Sequence, residues 1–187
     1  MDKENLNKNV KEQVDEFQNN ISIENFHIPR WDELPNIDLF LEQVVTLINN
    51  ALEPYICFGA DNTEEKLLTK TMINNYVKND IIEAPVKKQY SKSQVAKIFA
   101  ICVLKQVYSM QDIKILIEMA LRSEIQVSYN KFCSLFEEAL YCTYNKKDFI
   151  DTTSTNEYQY LLKSVLLSCS YKIYSKNIVA IESKKDT

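Results

Sequence analysis

Glycine occurs only once in this chain of 187 residues, at Gly59. Turns with positive φ and loops that cradle phosphates both favour glycine, so its scarcity argues against sheet-rich folds and glycine-rich nucleotide sites. Apolar residues make up 45% of the chain, which is enough for a substantial core. The sequence therefore predicts a mainly α-helical protein with at most a two-stranded ribbon.

The basic side chains are concentrated in one stretch, residues 66–105. This stretch holds eight lysines and two acidic residues, although the whole chain carries a net charge of −4. A local basic region attracts phosphate-bearing partners because a partner feels the nearby field more than the net charge. The alternative interpretation is a solvated face of lysines without a partner.

A short helix with a polar outer face is predicted inside the basic stretch. Thr69 is a suitable N-cap, and the helix should run through Lys78. Its apolar positions follow helical spacing: Met72, Ile73, Tyr76 and Val77. The opposite face carries Thr71, Asn74, Asn75 and Lys78. Asparagine can pair with an adenine edge, and lysine and threonine can reach phosphates, so this face suits a helix in a DNA major groove.

A basic loop follows this helix. Pro85 interrupts helical structure, and the tip of the loop should be Lys87, Lys88 and Gln89, forming a short wing. Ser91 and Gln94 then form a capping box that starts the next helix. Ser109 is expected to cap another helix, with an apolar stripe of Ile113, Leu116, Ile117, Ala120 and Leu121.

The flanking regions predict further helices. Asn36 is the expected cap of a helix over residues 37–52, which should end at Glu53 and Pro54, and Trp31 should pack as an anchor against it. Tyr55, Ile56 and Phe58 could form a short strand that pairs with the wing at residues 85–90. A helix containing Phe132 to Thr143 follows. A last helix near residues 157–174 places Tyr158, Leu162, Val165 and Cys169 close to a coiled-coil pattern, which an ordinary core helix also produces.

Catalytic, metal-binding and membrane functions find little support in the sequence. The sole histidine, His27, has no partner pattern nearby, and the five cysteines show no CxxC spacing, so reduced core thiols are expected and no metal or other cofactor. No apolar run is long enough to cross a bilayer, and no secretion signal is evident. We expect a cytoplasmic protein that is not an enzyme.

The order of these segments resembles a known family. NNYVKNDII, a basic loop with proline, YSKSQVAKI and YSMQDIKIL together look like the DNA-binding head of the mercury-resistance-regulator (MerR) type. Residues 73–76 fall on that family's Leu-Arg-Tyr-Tyr, Thr69 on its capping serine and Asp80 on its glycine. Tyr90 and Ser91 fall on its Tyr-Ser pair. Residues 28 to about 145, including IPRWDELP and KKQYSKSQVAKI, are also similar to the uncharacterised domain-of-unknown-function family 1836.

The MerR resemblance implies a winged helix-turn-helix core with additional C-terminal helices. The residues at the two ends predict a tail at 1–20, which we expect to be mobile although a weak docked helix is also compatible, and a charged tail at 182–187. Between them, the resemblance implies a winged domain at 21–125 and a helical dimerisation or effector region at 126–181. The chain departs from the family at Asn74, where an arginine is typical, and its wing is shorter. The connection that precedes the polar-faced helix is longer.

Two functions follow as expectations. One is a transcription regulator that binds double-stranded DNA as a homodimer, and the other is a helical protein–protein adaptor that keeps the same scaffold and meets an acidic partner. For the regulator, the expected DNA-binding residues are Lys70, Thr71, Asn74, Asn75, Tyr76, Lys78, Lys87, Lys88, Gln89 and Tyr90.

Overall fold

The computed structural model confirms a mainly helical protein with one small sheet. It describes residues 23–57, 66–149 and 156–185, together with positions 8, 11, 12 and 15, and the side chains of the last helix as far as Ala180. The predicted mobile tail at residues 1–20, apart from those four positions, lies outside the described residues, as does Phe58.

The described residues form six helices and two short strands. In sequence they are β1 (Leu39–Phe40), α1 (Leu41–Ile56), α2 (Lys70–Lys78), β2 (Gln89–Tyr90), α3 (Lys92–Leu104), α4 (Met110–Ala120), α5 (Ile125–Asn145) and α6 (Glu157–Lys185). Short 3₁₀ turns at Ile23–Asn25 and Trp31–Glu33 precede them. The predicted charged tail therefore begins inside α6, and residues 186–187 lie outside the described part.

Helix α3 is the centre of the fold. Ten of its thirteen residues are buried, from Gln94 to Leu104, so it lacks a solvent face. The other helices and the ribbon surround it, and α5 and α6 pack along each other beside it. The predicted stripe of α6 is used in this packing: Val165, Cys169 and Ile173 are buried within the chain's own core.

The three predicted N-caps around α3 are confirmed. The Thr69 hydroxyl accepts from the backbone N of Met72 at 3.3 Å. Ser91 and Gln94 form the reciprocal capping box, with Gln94 Oε1 accepting from Ser91 N at 2.8 Å. Ser109 Oγ accepts from Asp112 N at 3.2 Å.

The start of α1 was predicted wrongly. The helix begins at Leu41 because the Gln43 side chain accepts from the backbone N of Phe40 at 2.8 Å and caps the helix there. Asn36 instead accepts from Lys92 Nζ at 2.7 Å. Ile37 and Phe40, which the prediction placed inside this helix, precede it and are 70% and 50% exposed.

The end of α1 and the partner of the ribbon also differ from the prediction. Pro54 lies inside the last turn of α1, and the helix continues to Ile56. Tyr55 and Ile56 are therefore helical, and β2 pairs with β1 instead, in antiparallel register with Leu39 opposite Tyr90. This pair faces the core, since both side chains are buried.

Candidate nucleic-acid interface

The predicted polar face of α2 is exposed. Ile73 and Tyr76 are buried, and they fix which side of the helix faces the core. The residues that remain exposed on α2 and its C-cap are Lys70, Thr71, Asn74, Asn75, Lys78 and Asn79. Five of these are candidate DNA-binding residues, so one helix face gathers half of the predicted site.

Lys70 is engaged by a neighbouring helix. Its Nζ lies 2.5 Å from Glu42 Oε1 on α1, and both side chains are more than half exposed. The hydrogen bond from Lys70 lowers the pKa of the Glu42 carboxyl. Exposed ion pairs contribute little to stability, so a phosphate could compete for this lysine.

The start of α2 is held by a buried clamp that sequence reasoning missed. Asn49 on α1 donates through Nδ2 to Leu68 O and accepts through Oδ1 from Leu68 N, both at 3.0 Å. Glu53 Oε1 accepts from Leu67 N at 3.3 Å, and Lys105 Nζ donates to Leu67 O. The signal available in the sequence was a polar Asn49 between Ile48 and Leu52 on an apolar helix face.

The wing is a two-residue hairpin with a lysine at each tip position. Val86 and Gln89 exchange backbone hydrogen bonds of 3.0 and 2.9 Å. Lys87 and Lys88 between them have φ values of 51° and 65°. Two successive positive φ values characterise a type I′ turn, which favours Asn-Gly because side chains with Cβ are strained there. The fold therefore holds two exposed lysines in a conformation that is unfavourable for lysine.

The loop before the hairpin is fastened to the first turns of α3. Gln94 Nε2 donates to Glu83 O at 2.8 Å, and Lys97 Nζ lies 2.5 Å from Glu83 Oε1. At the other end of α3, Lys105 Nζ lies 3.4 Å from Met72 Sδ. The segment from Met72 to Glu83 therefore runs alongside α3, from the C-terminal end of α3 to its N-terminal end. The C-terminal end of α2, at Lys78, consequently points towards the wing.

The lysines of the basic stretch divide into two groups. Lys97 is 9% exposed and pairs with Glu83, while Lys105 is half-buried, and this burial lowers its pKa. Lys78, Lys87 and Lys88 are exposed. Only part of the positive charge counted in the sequence is therefore presented on the surface.

Two predicted contact residues are core residues. Tyr76 is 4% exposed and Tyr90 is 2% exposed, and burial raises the pKa of each phenol. Gln89 is half-buried next to the tip. The aromatic side chains support the helix and the ribbon from below, which leaves them no surface for a contact with DNA.

Residues 27–33 form a second polar cluster, against α5. Arg30 makes a two-pronged ion pair with Glu137, whose Oε1 also accepts from Ile28 N at 2.7 Å. This pairing raises the pKa of Arg30. His27 Nε2 lies 2.7 Å from Glu33 Oε2, a contact that the sequence pattern did not indicate. The cluster fixes the N-terminal segment to α5.

The expected anchor, Trp31, is partly buried against the core. Its backbone N donates to Asn130 Oδ1 on α5 at 2.8 Å, and Lys92 Nζ lies 5.3 Å from the centre of its ring. Trp31 therefore contacts α5 and the start of α3.

Two further chemical features concern the described residues only. No group of three or more histidine, cysteine or acidic side chains is arranged to hold a metal ion within them. None of the five cysteines forms a disulfide, and burial raises the pKa of Cys102, Cys133 and Cys169 to about 12. Within the same part of the chain, no helix is both long and apolar enough to cross a membrane.

Comparison with known proteins gives one match. The model of a family described as "Domain of unknown function (DUF1836)" matches residues 29–136. Neither a curated protein nor a solved structure matches the chain. The matched segment spans the ribbon, α1 to α4 and the first part of α5.

Proposed function

The chain belongs to the family of domain of unknown function DUF1836, whose description names no activity, and we propose from the site itself that it binds double-stranded DNA as a transcription regulator. In this proposal α2 lies in the major groove and the hairpin tip contacts phosphates. Catalysis has no part in it.

The observation that carries the proposal is the hairpin tip. Lys87 and Lys88 both have positive φ, a conformation that costs roughly 1–2 kcal/mol per residue with a Cβ. Strained backbone persists where the surroundings hold it, and it is common at functional sites. Two adjacent exposed lysines at such a tip suit a phosphate backbone, because lysine contributes affinity to DNA of any sequence.

The order of elements supports a winged helix-turn-helix. Strand β1, helices α1 and α2, strand β2 and helix α3 follow one another, and β1 pairs with β2. A simple helix-turn-helix joins its two helices by about 3–4 residues. The longer connection from Ile56 to Lys70 departs from that pattern, and the clamp at Leu67 and Leu68 takes over the positioning of α2.

Each surface residue then has a distinct role. Asn74 and Asn75 lie on the exposed face of α2 and would contact base edges, since the asparagine amide both donates and accepts. Thr71 and Lys78 on the same face would reach phosphates. Lys70 would exchange Glu42 for a phosphate.

Dimerisation stays a prediction of the regulator hypothesis. Regulators of this type commonly pair two half-sites, because one short helix gives limited contact. The stripe expected to pair two copies is buried within the chain, so a dimer must use another surface. Sedimentation at micromolar concentration, with and without DNA, tests this. A strict monomer in both conditions would contradict it.

The test of DNA binding is the salt dependence of affinity. Replacing Lys87 and Lys88 by alanine should weaken binding to every duplex and flatten the slope of log K against log salt by about 2, since each lost phosphate contact removes roughly 0.9 of a released counterion. Fluorescence anisotropy on random and genomic fragments measures both quantities.

A matched control is available on α6. Lys172 and Lys176 are both exposed and neither is among the proposed contact residues, so their double alanine variant should leave the slope unchanged. Unchanged DNA affinity in the hairpin variant, with its melting temperature intact, would refute the proposal. The acidic protein partner of the adaptor hypothesis would then be the one to test.

A further inference from the structure

Four helices, α3 to α6, line an apolar pocket that is partly open to solvent. Its walls include Ala100 of α3, Ile117 of α4, Phe132 of α5 and Leu162 of α6. The volume that a small molecule can occupy is about 80 Å³, and the pocket opens to solvent on one side. Ligand pockets in proteins are mostly apolar, and the surface that lines this one is almost entirely apolar.

Three of the polar groups in the wall already have partners. Ser128 Oγ donates to Ala120 O at 2.8 Å, and Tyr129 Oη donates to Pro29 O at 2.9 Å. Lys97 Nζ pairs with Glu83. A charged ligand would have to displace one of these contacts or leave its own charge unpaired, and both are costly.

One wall hydroxyl is available. Tyr158, in the first turn of α6, is half-buried, and burial raises its pKa, so it stays a phenol at neutral pH. Among the described residues its hydroxyl has no hydrogen-bond partner. It can therefore donate to a single polar atom of a ligand.

The pocket exists because small residues face it. Ala96, Ala100 and Ala120 lie in its wall, where longer side chains would fill the space. An unfilled apolar cavity lowers stability in proportion to its volume, so an apolar occupant that fits should stabilise the fold. Walls on four helices suit a compact molecule, whereas a docked helix needs a long open groove.

We propose that this pocket binds one small, uncharged, mainly hydrocarbon molecule with a single hydrogen-bonding group directed at Tyr158. Such a ligand would join α6, which lies outside the matched family segment, to helices α3 and α4 of that segment. The inference does not depend on DNA binding.

The experiment uses n-decanol and sodium decanoate as probes, with calorimetry and thermal unfolding as measurements. On the full chain, decanol should bind at one saturable site and raise the melting temperature, because a ligand that binds only the folded state stabilises it. Ala120→Leu should fill the pocket and weaken decanol binding by about tenfold or more. Ala84→Leu makes the same change at an exposed loop position and should bind like the wild type.

A second variant covers the case in which Ala120→Leu does not fold. Leu161, in the pocket wall, is 37% exposed, so Leu161→Gln should fold and still weaken decanol binding. The inference is overturned if the wild type does not bind decanol, or if folded Ala120→Leu and Leu161→Gln both bind it unchanged. Tighter binding of decanoate than decanol would overturn the uncharged class.

Discussion

Two regions around α2 contain the same residue types and use them in opposite ways. Beneath the helix, Asn49 and Lys105 hold the backbone of residues 67–68 through buried hydrogen bonds. On the outer side, Asn74 and Lys78 are exposed to solvent. The difference teaches that the position of an asparagine or lysine relative to the core, and not its type, decides whether it serves the fold or a partner.

The physical reason is desolvation. A buried amide that loses its hydrogen bonds has no water to replace them, so Asn49 should matter for stability. An exposed amide is hydrated in both the folded and the unfolded state, and surface substitutions usually change stability by about 0.5 kcal/mol or less. Only a bound partner can make Asn74 energetically important.

The largest expected effect is on the clamp. Asn49→Ala leaves the buried N–H and C=O of Leu68 without partners and should lower the free energy of unfolding by about 2–4 kcal/mol. Chemical denaturation followed by circular dichroism measures this. Asn50→Ala, one residue further on the exposed side of α1, is the matched control and should change little.

Equal effects of the two substitutions would break the comparison. If Asn49→Ala were as mild as Asn50→Ala, the contacts with Leu68 would not hold α2, and positioning of the outer face would need another cause. A loss confined to Asn49 would sharpen the comparison, since the two residues differ only in the side of the helix they occupy.

Local features were predictable from the sequence. The caps at Thr69, Ser91 and Ser109 were correct because each depends on a hydroxyl and a backbone N–H three residues later. The prediction of a polar outer face on α2 was also correct, because helical spacing places Ile73 and Tyr76 on the side that faces the core. Such features depend on a few neighbouring residues.

Features that depend on distant residues were not predictable. The partner of β2 is Leu39–Phe40 and not Tyr55–Ile56, because the turn after Pro54 stays helical and only the fold decides which strand lies beside the wing. The burial of Lys97 and Lys105 likewise depends on Glu83 and Leu67. A count of lysines along the sequence therefore overstated the charge on the surface.

The second prediction tests the outer side of the comparison. Replacing Asn74 or Asn75 by alanine should reduce affinity for the preferred DNA site by about 1–3 kcal/mol, because a bidentate asparagine discriminates between bases. Affinity for random DNA and the melting temperature should hardly change, since both side chains are exposed. Anisotropy titrations on the two kinds of duplex measure the difference.

A uniform loss on all duplexes would mean that these amides contact the DNA backbone. No loss on any duplex would remove α2 from the interface. Either result would mean that Asn74 and Asn75 do not discriminate between bases. The outer asparagines would then have no role in DNA recognition to set against the structural role of Asn49.

The smallest effect is expected at the hairpin tip, where stability and binding should change in opposite directions. Lys87→Asn with Lys88→Gly gives the tip the residues that a type I′ turn favours. The free energy of unfolding should rise by about 1 kcal/mol, less than the full strain of two lysines, because asparagine keeps its Cβ and glycine gains freedom in the unfolded chain. The same change removes two exposed charges and should flatten the salt dependence of DNA binding.

Lys146→Gly is the matched control, because Lys146 also has a positive φ, of 53°, at the end of α5. It should stabilise the protein similarly and leave DNA binding unchanged. A tip variant that gains no stability would mean that its lysines are not strained, and the observation that carries the DNA-binding proposal would be lost.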